Sequence, residues 1–181
     1  VVYLSNLMES KGILDLFEAV TIVGGQGKKI HLDVAGAIEL AIEDRVKAYL
    51  EELGDTVTYH GVVDGKKKKE LLLNNYIFCL PSKHPYGEGQ PISILEAMAN
   101  GCLIVTTDLG GIKDIVNEAY GVFVEKQNPE SIAQKIAKRN YDDVVHRSWL
   151  EAKTKYGVDK FVSRIENVLL TPKSKKRLRD G

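Results

Sequence analysis

Two glutamates within residues 81–101 (PSKHPYGEGQPISILEAMANG) have the side-chain type and spacing of a ligand site. Glu88 and Glu96 are separated by seven residues, and Gly87 and Gly89 flank the first of them. The glycines let the backbone turn tightly and let its N–H groups approach a ligand. A carboxylate can accept hydrogen bonds from both hydroxyls of a vicinal diol, as the acidic residue of a dinucleotide-binding fold does for ribose. The pair therefore predicts contacts to polyols.

The helix that follows this loop is predicted to begin with an anion site. Pro91 suits the first helical position, where its missing N–H costs nothing. The N–H groups of Gln90, Ile92 and Ser93 then point out of the helix start, where they can bind a phosphate. A diphosphate flanked by two polyols, each held by a carboxylate, describes a sugar nucleotide. The alternative is that the two glutamates are ordinary surface residues that complement the helix dipole, but their place in a Gly–Pro turn favours the ligand site.

Short β-branched runs alternate with longer helical stretches along the chain. The predicted strands lie in VVYLSN, KIHLDVAG, VTYHG, YIFCLP, LIVTT and GVFVE. Helices are predicted between them, including a short one at GIKDIVNE, and three more over residues 129–140, 141–156 and 158–170. The first helix is expected to bury Ile13, Leu16, Phe17, Val20 and Val23 on one face.

This alternation predicts an α/β domain with a Rossmann-like, doubly wound parallel six-stranded sheet and helices on both faces. Ligands of such folds bind at the carboxyl ends of the strands. The loops after the first, third, fourth and fifth strands should therefore share one rim. Gly24, Gly25 and Gly27 are predicted to end the first helix, because glycine readily adopts the left-handed conformation of a helix end.

Composition and charge exclude several classes of protein. The 181 residues are 44% hydrophobic and 28% charged, as in an average globular domain, which excludes disordered and fibrous chains. Lys plus Arg (25) balances Asp plus Glu (25), so a globally basic nucleic-acid binder is not expected. Cys79 and Cys102 lie in apolar runs and are predicted to be buried free thiols in a reducing compartment. No apolar run approaches the roughly 20 residues of a membrane helix, and we expect a cytoplasmic location.

Residues 81–101 resemble the Glu-x7-Glu motif of retaining glycosyltransferases with the GT-B fold, of the family 4 (group 1) type. The family pattern is matched by Pro81, Ser82, Glu88, Gly89, Pro91, Leu95, Glu96, Ala97, Met98, Ala99 and Gly101. Further similar segments are TTDLGGIKDIV, YHGVV and LSNLMESKGILDLFEA. Because these segments occur in the family's order over residues 1–170, the resemblance implies the C-terminal half of a GT-B fold.

The resemblance implies a role for each matched position. Glu96 would hold the ribose hydroxyls, Glu88 would face the transferred sugar, and Lys11 would neutralise the donor diphosphate. The backbone of residues 89–92 (Gly89, Gln90, Pro91 and Ile92) would cradle the sugar and the phosphates, and that of residues 61–63, with Gly61 and Val62, would border the base. Glu88 and Lys11 are thus the catalytic candidates: Lys11 with the helix start would stabilise the departing diphosphate, and Glu88 would position the sugar.

One position departs from the family pattern. The family usually has an arginine where this chain has Asn6, which can donate a hydrogen bond but supplies no charge. A charge-assisted contact to phosphate is worth roughly 1.5–3 kcal/mol, so donor affinity is expected to be weak unless another residue compensates. The chain has no Asp-x-Asp metal motif, and we expect transfer without a metal or any other cofactor.

The resemblance implies transfer of a sugar from a nucleoside diphosphate, with UDP as the expected nucleotide, to a glycan or lipid-linked acceptor in surface polysaccharide or lipopolysaccharide synthesis. Residues 1–170 would be the donor-binding domain. The chain begins inside a strand without a methionine, so an N-terminal acceptor domain is expected to be missing and the fragment to be inactive alone. The alternatives are a sugar-nucleotide epimerase on the same fold and a non-catalytic module that binds nucleotide sugars.

Two basic segments and one histidine have further predicted roles. Residues 171–181 form a basic tail that is predicted to be disordered, and that serves either solubility or peripheral contact with the inner face of the cytoplasmic membrane. The lysine run at residues 66–69 is predicted to form the solvated first turn of a helix, with an anionic partner as the alternative. His60 ends the third strand and is expected to be a hydrogen-bonded structural residue.

Overall fold

Six strands alternate with helices in the computed structural model, which describes residues 1–84, 89, 91–138, 140–157, 159–160 and 163. The strands are β1 (Val2–Leu4), β2 (Leu32–Ala35), β3 (Val57–Tyr59), β4 (Ile77–Leu80), β5 (Leu103–Thr107) and β6 (Val122–Val124). The helices are α1 (Ile13–Gly25), α2 (Glu43–Leu53), α3 (Gly65–Asn74), α4 (Ile92–Ala99), α5 (Pro129–Ile136) and α6 (Asp142–Lys155).

The strands form one parallel sheet in the order β3-β2-β1-β4-β5-β6. Val2 of β1 is in register with Asp33 of β2 on one side and with Phe78 of β4 on the other. The order reverses between β1 and β4, and right-handed crossovers then place helices on opposite faces of the sheet. The predicted Rossmann-like doubly wound fold is confirmed, and its switch point lies at the carboxyl ends of β1 and β4.

The core follows the hydrophobic pattern of the sequence. β1, β4 and β5 are buried along their whole length, as expected for central strands covered on both faces. The predicted apolar face of α1 is confirmed, because all five of its residues are buried: Ile13, Leu16, Phe17, Val20 and Val23. α1 packs against α5, and α4 packs against α6.

One local prediction is confirmed in part and one is wrong. α1 ends at Gly25, within the predicted glycine segment, but of the three glycines only Gly27 has a positive φ, of 74°. The segment GIKDIVNE forms a 3₁₀ turn at Gly110–Ile112 followed by further turns, not a helix. The turn begins with Gly110 and Gly111, which are poor helix formers, and after the segment Gly121 N–H donates to Asn117 O. Burial of Ile112 and Val116 therefore fixes the path more than helix propensity does.

Both cysteines are buried free thiols, as predicted. Burial raises the pKa of Cys102 to about 12 and lifts the pKa of Cys79 well above its usual range. Of the helices in the described residues, none is long and apolar enough to cross a membrane. Most of the helix predicted over 158–170 and all of the basic tail at 171–181 lie outside the described residues.

Candidate functional site

The chain leaves β1 through a bend at Ser5, and Asn6 follows directly. Ser5 N–H donates to Ala35 O (3.2 Å) and Leu7 N–H donates to Ala37 O (2.8 Å), so the two residues that flank Asn6 remain bound to the chain after β2. The hydroxyl of Tyr3 donates to the Asn6 carbonyl at 2.9 Å. The backbone of Asn6 is therefore fixed, while its side chain is exposed at the carboxyl end of β1.

The carboxyl ends of β1, β2 and β3 are held together at Gly36. A Cβ on this residue would lie 1.9 Å from the Ser5 carbonyl oxygen, so only glycine permits the close approach. Gly36 N–H donates to Gly61 O (2.9 Å), and the Tyr59 hydroxyl donates to Gly36 O (2.8 Å). These contacts fix the predicted base-binding backbone at Gly61 relative to the end of β1.

The turn that carries Lys11 is pressed against the chain that leaves β4. Lys11 ends a 3₁₀ turn at Glu9–Lys11, and its N–H donates to Met8 O at 3.0 Å. Gly12 follows with a φ of 74°, and a Cβ there would lie 2.0 Å from the Pro81 carbonyl oxygen. Lys83 N–H donates to Ser10 O at 2.8 Å. Lys11 is thereby placed at the switch point between β1 and β4.

A largely buried ion pair reinforces the contact between the Lys11 turn and the chain after β4. Lys83 Nζ lies 3.2 Å from Asp15 Oδ1, and the two side chains are only 13% and 14% exposed. Asp15 is in the first turn of α1, so the pair joins the start of that helix to the segment after β4. Removing one partner of an ion pair that is largely shielded from solvent strongly destabilises the fold. The pair between Lys83 and Asp15 therefore helps to fix the position of the turn that carries Lys11.

Helix α4 begins one residue later than predicted. Pro91 is the capping residue, with φ −69° and ψ 111°, and Ile92 is the first helical residue. Ile94 N–H donates to the Pro91 carbonyl at 3.0 Å, whereas the N–H groups of Ile92 and Ser93 have no acceptor within the helix, as in the first turn of any helix. The expected amide donors at Ile92 and Ser93 therefore remain, and the prediction that Pro91 occupies the first helical position is wrong.

A cleft of about 330 Å³ lies between these loops and α4. Its described lining residues are Leu4, Ser5, Asn6, Ala35, Gly36, Val62, Val63, Lys68, Ile92, Ser93 and Glu96. Four predicted site residues thus meet there: Asn6, Val62, Ile92 and Glu96. Lys11, Gly61, Gly89 and Pro91 are not among its lining residues, and Glu88 and Gln90 lie outside the described residues.

Lys68 is a cleft residue that was not predicted from the sequence. Its ammonium group reaches from α3 to the Glu96 carboxylate, with Nζ 2.5 Å from Oε1. The expectation that the whole lysine run at 66–69 is solvated is therefore wrong at this position. The signal was present in the sequence, because a run of positive charge at a helix start is unfavourable for the dipole and calls for an anionic partner.

His60 has the structural role that was expected. Its Nε2 donates to Asp33 Oδ1 at 2.7 Å, since an ionised carboxylate can only accept. Asn75 Nδ2 donates to the other oxygen, Oδ2, at 2.8 Å. Burial raises the pKa of Asp33, but the hydrogen bonds from Asn75 and His60, together with the electrostatic influence of His31 and His60, leave that pKa below its ordinary value.

A larger cleft, of about 720 Å³, lies on the amino-terminal side of the central strands, and Val1, Asp33 and Ile77 are among its lining residues. Volume alone would favour it as a site. In doubly wound sheets, however, ligands bind at the carboxyl ends of the strands. The smaller cleft is there, and the predicted site residues line it.

Among the described residues, no group of three or more His, Cys, Asp or Glu side chains is placed to hold a metal ion. The expectation of transfer without a metal stays a prediction, and its test is a binding measurement with and without a chelator.

The family model of the glycosyl transferases group 1 matches residues 1–156. A capsular polysaccharide biosynthesis glycosyltransferase, CapM of Staphylococcus aureus, is 29% identical over 166 residues, which are 90% of this chain and 42% of that protein. The chain spans less than half of the length of the curated relatives that it matches.

Solved structures share the fold. HepE of Anabaena, crystallised with UDP and glucose, superposes with a TM-score of 0.80 at 18% identity, covering 93% of this chain and 47% of that one. The C-terminal domain of the group 1 glycosyl transferase LpcC of Francisella tularensis superposes with a TM-score of 0.75 at 20% identity, covering 87% of this chain and 85% of that domain.

Proposed function

The chain belongs to the glycosyl transferases group 1, and we propose that it is the donor-binding part of a retaining enzyme. The enzyme would move a sugar from a nucleoside diphosphate to a glycan or lipid-linked acceptor. The observation that carries the proposal is the cleft at the carboxyl ends of β1, β2 and β3, where Glu96 and the start of α4 face Asn6 and Val62. Family membership favours transfer over the epimerase alternative.

The groups in the cleft match the parts of a nucleotide. Within the described part of the chain, Glu96 Oε2 accepts no hydrogen bond, so it is available to the ribose hydroxyls. The amides of Ile92 and Ser93 can donate to a phosphate. Val62 is 77% exposed beside them, and its apolar surface would be covered by a base. A site of about 330 Å³ is at the small end for a ligand of this size, and it is open to solvent on one side.

Lys11 and the start of α4 would supply the chemistry of bond cleavage. Breaking the bond between the sugar and the phosphate leaves negative charge on the diphosphate. An ammonium group and amide dipoles fixed near that charge stabilise it, because they need no reorganisation during the reaction. The close contact of Gly12 with Pro81 holds the Lys11 turn beside the segment that leads to α4. Glu88 would position the transferred sugar.

The relatives suggest the donor and the pathway. HepE was crystallised with UDP and glucose, which supports UDP as the nucleotide here. CapM is named for capsular polysaccharide biosynthesis, which supports an acceptor that is a growing surface glycan or its lipid-linked precursor. We place the enzyme in the cytoplasm, with residues 171–181 as a candidate contact to an anionic membrane surface.

The acceptor site would come from outside this chain. The curated relatives are more than twice as long as the region that they share with it. We propose that the chain binds the donor nucleotide but does not turn over steadily by itself. Steady sugar transfer by the isolated chain would refute this part of the proposal.

Calorimetric titration with UDP and with GDP, in the presence of a chelator, tests the proposal. Wild-type chain is expected to bind one of them, and Glu96→Ala is expected to weaken that binding about tenfold, the value of a charge-assisted hydrogen bond of 1.5 kcal/mol. Glu130→Ala is the matched control, because Glu130 is an exposed glutamate in the first turn of α5 and does not line the cleft.

Binding of neither nucleotide would refute the proposed donor site. Equal losses in Glu96→Ala and Glu130→Ala would place the nucleotide elsewhere on the chain. Binding that requires a divalent cation would refute the expectation of a metal-independent site.

A further inference from the structure

Lys68 reaches the cleft from a helix that is otherwise outside it. α3 is capped by Asp64, whose side chain accepts a hydrogen bond from Lys67 N–H at 2.7 Å. One turn further, Lys68 Nζ lies 2.5 Å from Glu96 Oε1, and the two side chains are 33% and 32% exposed. The pair joins α3 to α4, and both residues line the cleft.

The charges of the cleft balance only because of this lysine. Among the described residues that line it, Lys68 and Glu96 are the two that carry a charge. Without Lys68, the carboxylate would face an incoming diphosphate as a like charge, and like charges at short range repel. Asn6, at the other side of the cleft, offers no positive charge to compensate.

The pair also fixes the orientation of Glu96. A free glutamate side chain samples several rotamers, and ordering it on binding costs affinity. An ionised carboxylate has about four acceptor positions, of which Lys68 uses one at Oε1. Within the described part of the chain Oε2 accepts no hydrogen bond, so a diol can bind while the ion pair stays in place.

We propose that Lys68 is a positioning residue of the donor site: it neutralises Glu96 and holds its carboxylate ready for the ribose diol. The inference rests on the proposed function of the cleft. It deepens that function by adding a residue to the site and by naming how an anionic nucleotide is accepted beside a carboxylate.

The test is calorimetric titration of UDP into Lys68→Met, a change that keeps side-chain length and helix propensity while removing the charge. The matched control is Lys67→Met. Lys67 is on the same helix and pairs with Glu70 at 3.0 Å, but it does not line the cleft. Both variants lose one positive charge, so a difference between them isolates the contact with Glu96.

Lys68→Met is expected to raise the dissociation constant for UDP about five- to tenfold, as for loss of a partly exposed charge-assisted contact. Lys67→Met is expected to change it less than about twofold, and Lys68→Arg to restore most of the affinity. In a Glu96→Gln background the effect of Lys68→Met should fall below about twofold, because its partner carries no charge.

Two results would overturn the inference. Equal affinities in wild type and Lys68→Met would show that the ion pair does not contribute to donor binding. An undiminished effect of Lys68→Met in the Glu96→Gln background would show that Lys68 acts on the ligand directly and not through Glu96. Failure of the wild-type chain to bind UDP or GDP would instead refute the proposed function itself.

Discussion

Replacing Gly12 by alanine tests whether the Lys11 turn is held by close packing against the chain after β4. The added Cβ would lie 2.0 Å from the Pro81 carbonyl oxygen, where ordinary contact requires at least 3.4 Å. Pro81 cannot easily retreat, because its neighbours are anchored: the buried Thr106 hydroxyl donates to Leu80 O at 2.7 Å, and Ser82 Oγ donates to Ser10 O at 3.2 Å.

The expected loss of stability has two parts. Alanine at a φ of 74° costs about 1–2 kcal/mol, of which about 0.4–1 kcal/mol is returned through the less flexible unfolded chain. Moving the packed backbone at Pro81 away from the new Cβ costs a further amount of about 1–3 kcal/mol. The variant Gly12→Ala should therefore lose about 2–4 kcal/mol of its free energy of unfolding.

Gly27 provides a matched control with the same φ of 74° and no heavy atom within 4 Å of the added Cβ. Gly27→Ala should lose only about 1 kcal/mol or less, since it pays the conformational cost alone. Urea unfolding followed by far-UV circular dichroism measures both variants. Equal losses in the two variants would refute the claim that the contact between Gly12 and Pro81 is tight, and with it the account of how Lys11 is placed.

Three further predictions concern stability, thiol reactivity and metal dependence. The pKa of Asp33 in the folded chain lies below its ordinary value of 3.8, so the stabilisation by its ionised carboxylate is present above that pH and is lost as the pH falls through the folded pKa. The urea midpoint should therefore fall more steeply below pH 4 in wild type than in Asp33→Asn. Parallel curves for the two proteins would contradict this. Cys79 and Cys102 are buried with raised pKa values, so Ellman's reagent should react with them only at the rate of unfolding, and rapid labelling of the folded chain would be the contrary result. Nucleotide affinity should be the same with chelator and with magnesium, and a loss of affinity in chelator would show that a metal takes part.

The fold was predictable from the sequence because its strands and helices differ sharply in pattern. The run IFCL is apolar throughout and LIVTT is β-branched in four of its five residues, which is typical of strands buried on both faces, and both form inner strands of the sheet. In α1, by contrast, the apolar residues recur with the 3.6-residue period of a helix and form one buried face. The rules for parallel crossovers then predict a doubly wound sheet, and the structure supplies its strand order.

The local error arises where tertiary contacts override propensity. The end of α1 was predictable, since the helix stops at Gly25 and Gly27 just beyond it takes the left-handed conformation. The 3₁₀ turn at Gly110–Ile112 replaces a predicted helix because buried neighbours fix the short path from β5 to β6. The sequence pattern indicates the secondary-structure preference of a segment, but it does not show how much space the surrounding elements leave for that segment.

Some residues of the candidate site could be predicted from the sequence, and one could not. Glu96 and Ile92 could be predicted from the local pattern of the Glu-x7-Glu segment, whereas Asn6 and Val62 came only from the family resemblance; the rule for carboxyl ends predicts that all four lie on one rim. Lys68 was missed as a cleft residue because its partner is 28 residues away on another helix. No periodicity relates two charges of that separation; only the fold brings Lys68 of α3 within reach of Glu96 of α4.

The most direct test of the central claim asks whether Glu96 binds the ribose diol. Affinities for UDP and for 2′,3′-dideoxy-UDP, which lacks the diol, would be compared by calorimetry in wild type and in Glu96→Ala. Deleting the diol should cost wild type about tenfold in affinity and the variant less than about twofold, because the hydrogen-bonding partner is already gone. Equal costs in both proteins would contradict the assignment of this cleft as the donor site.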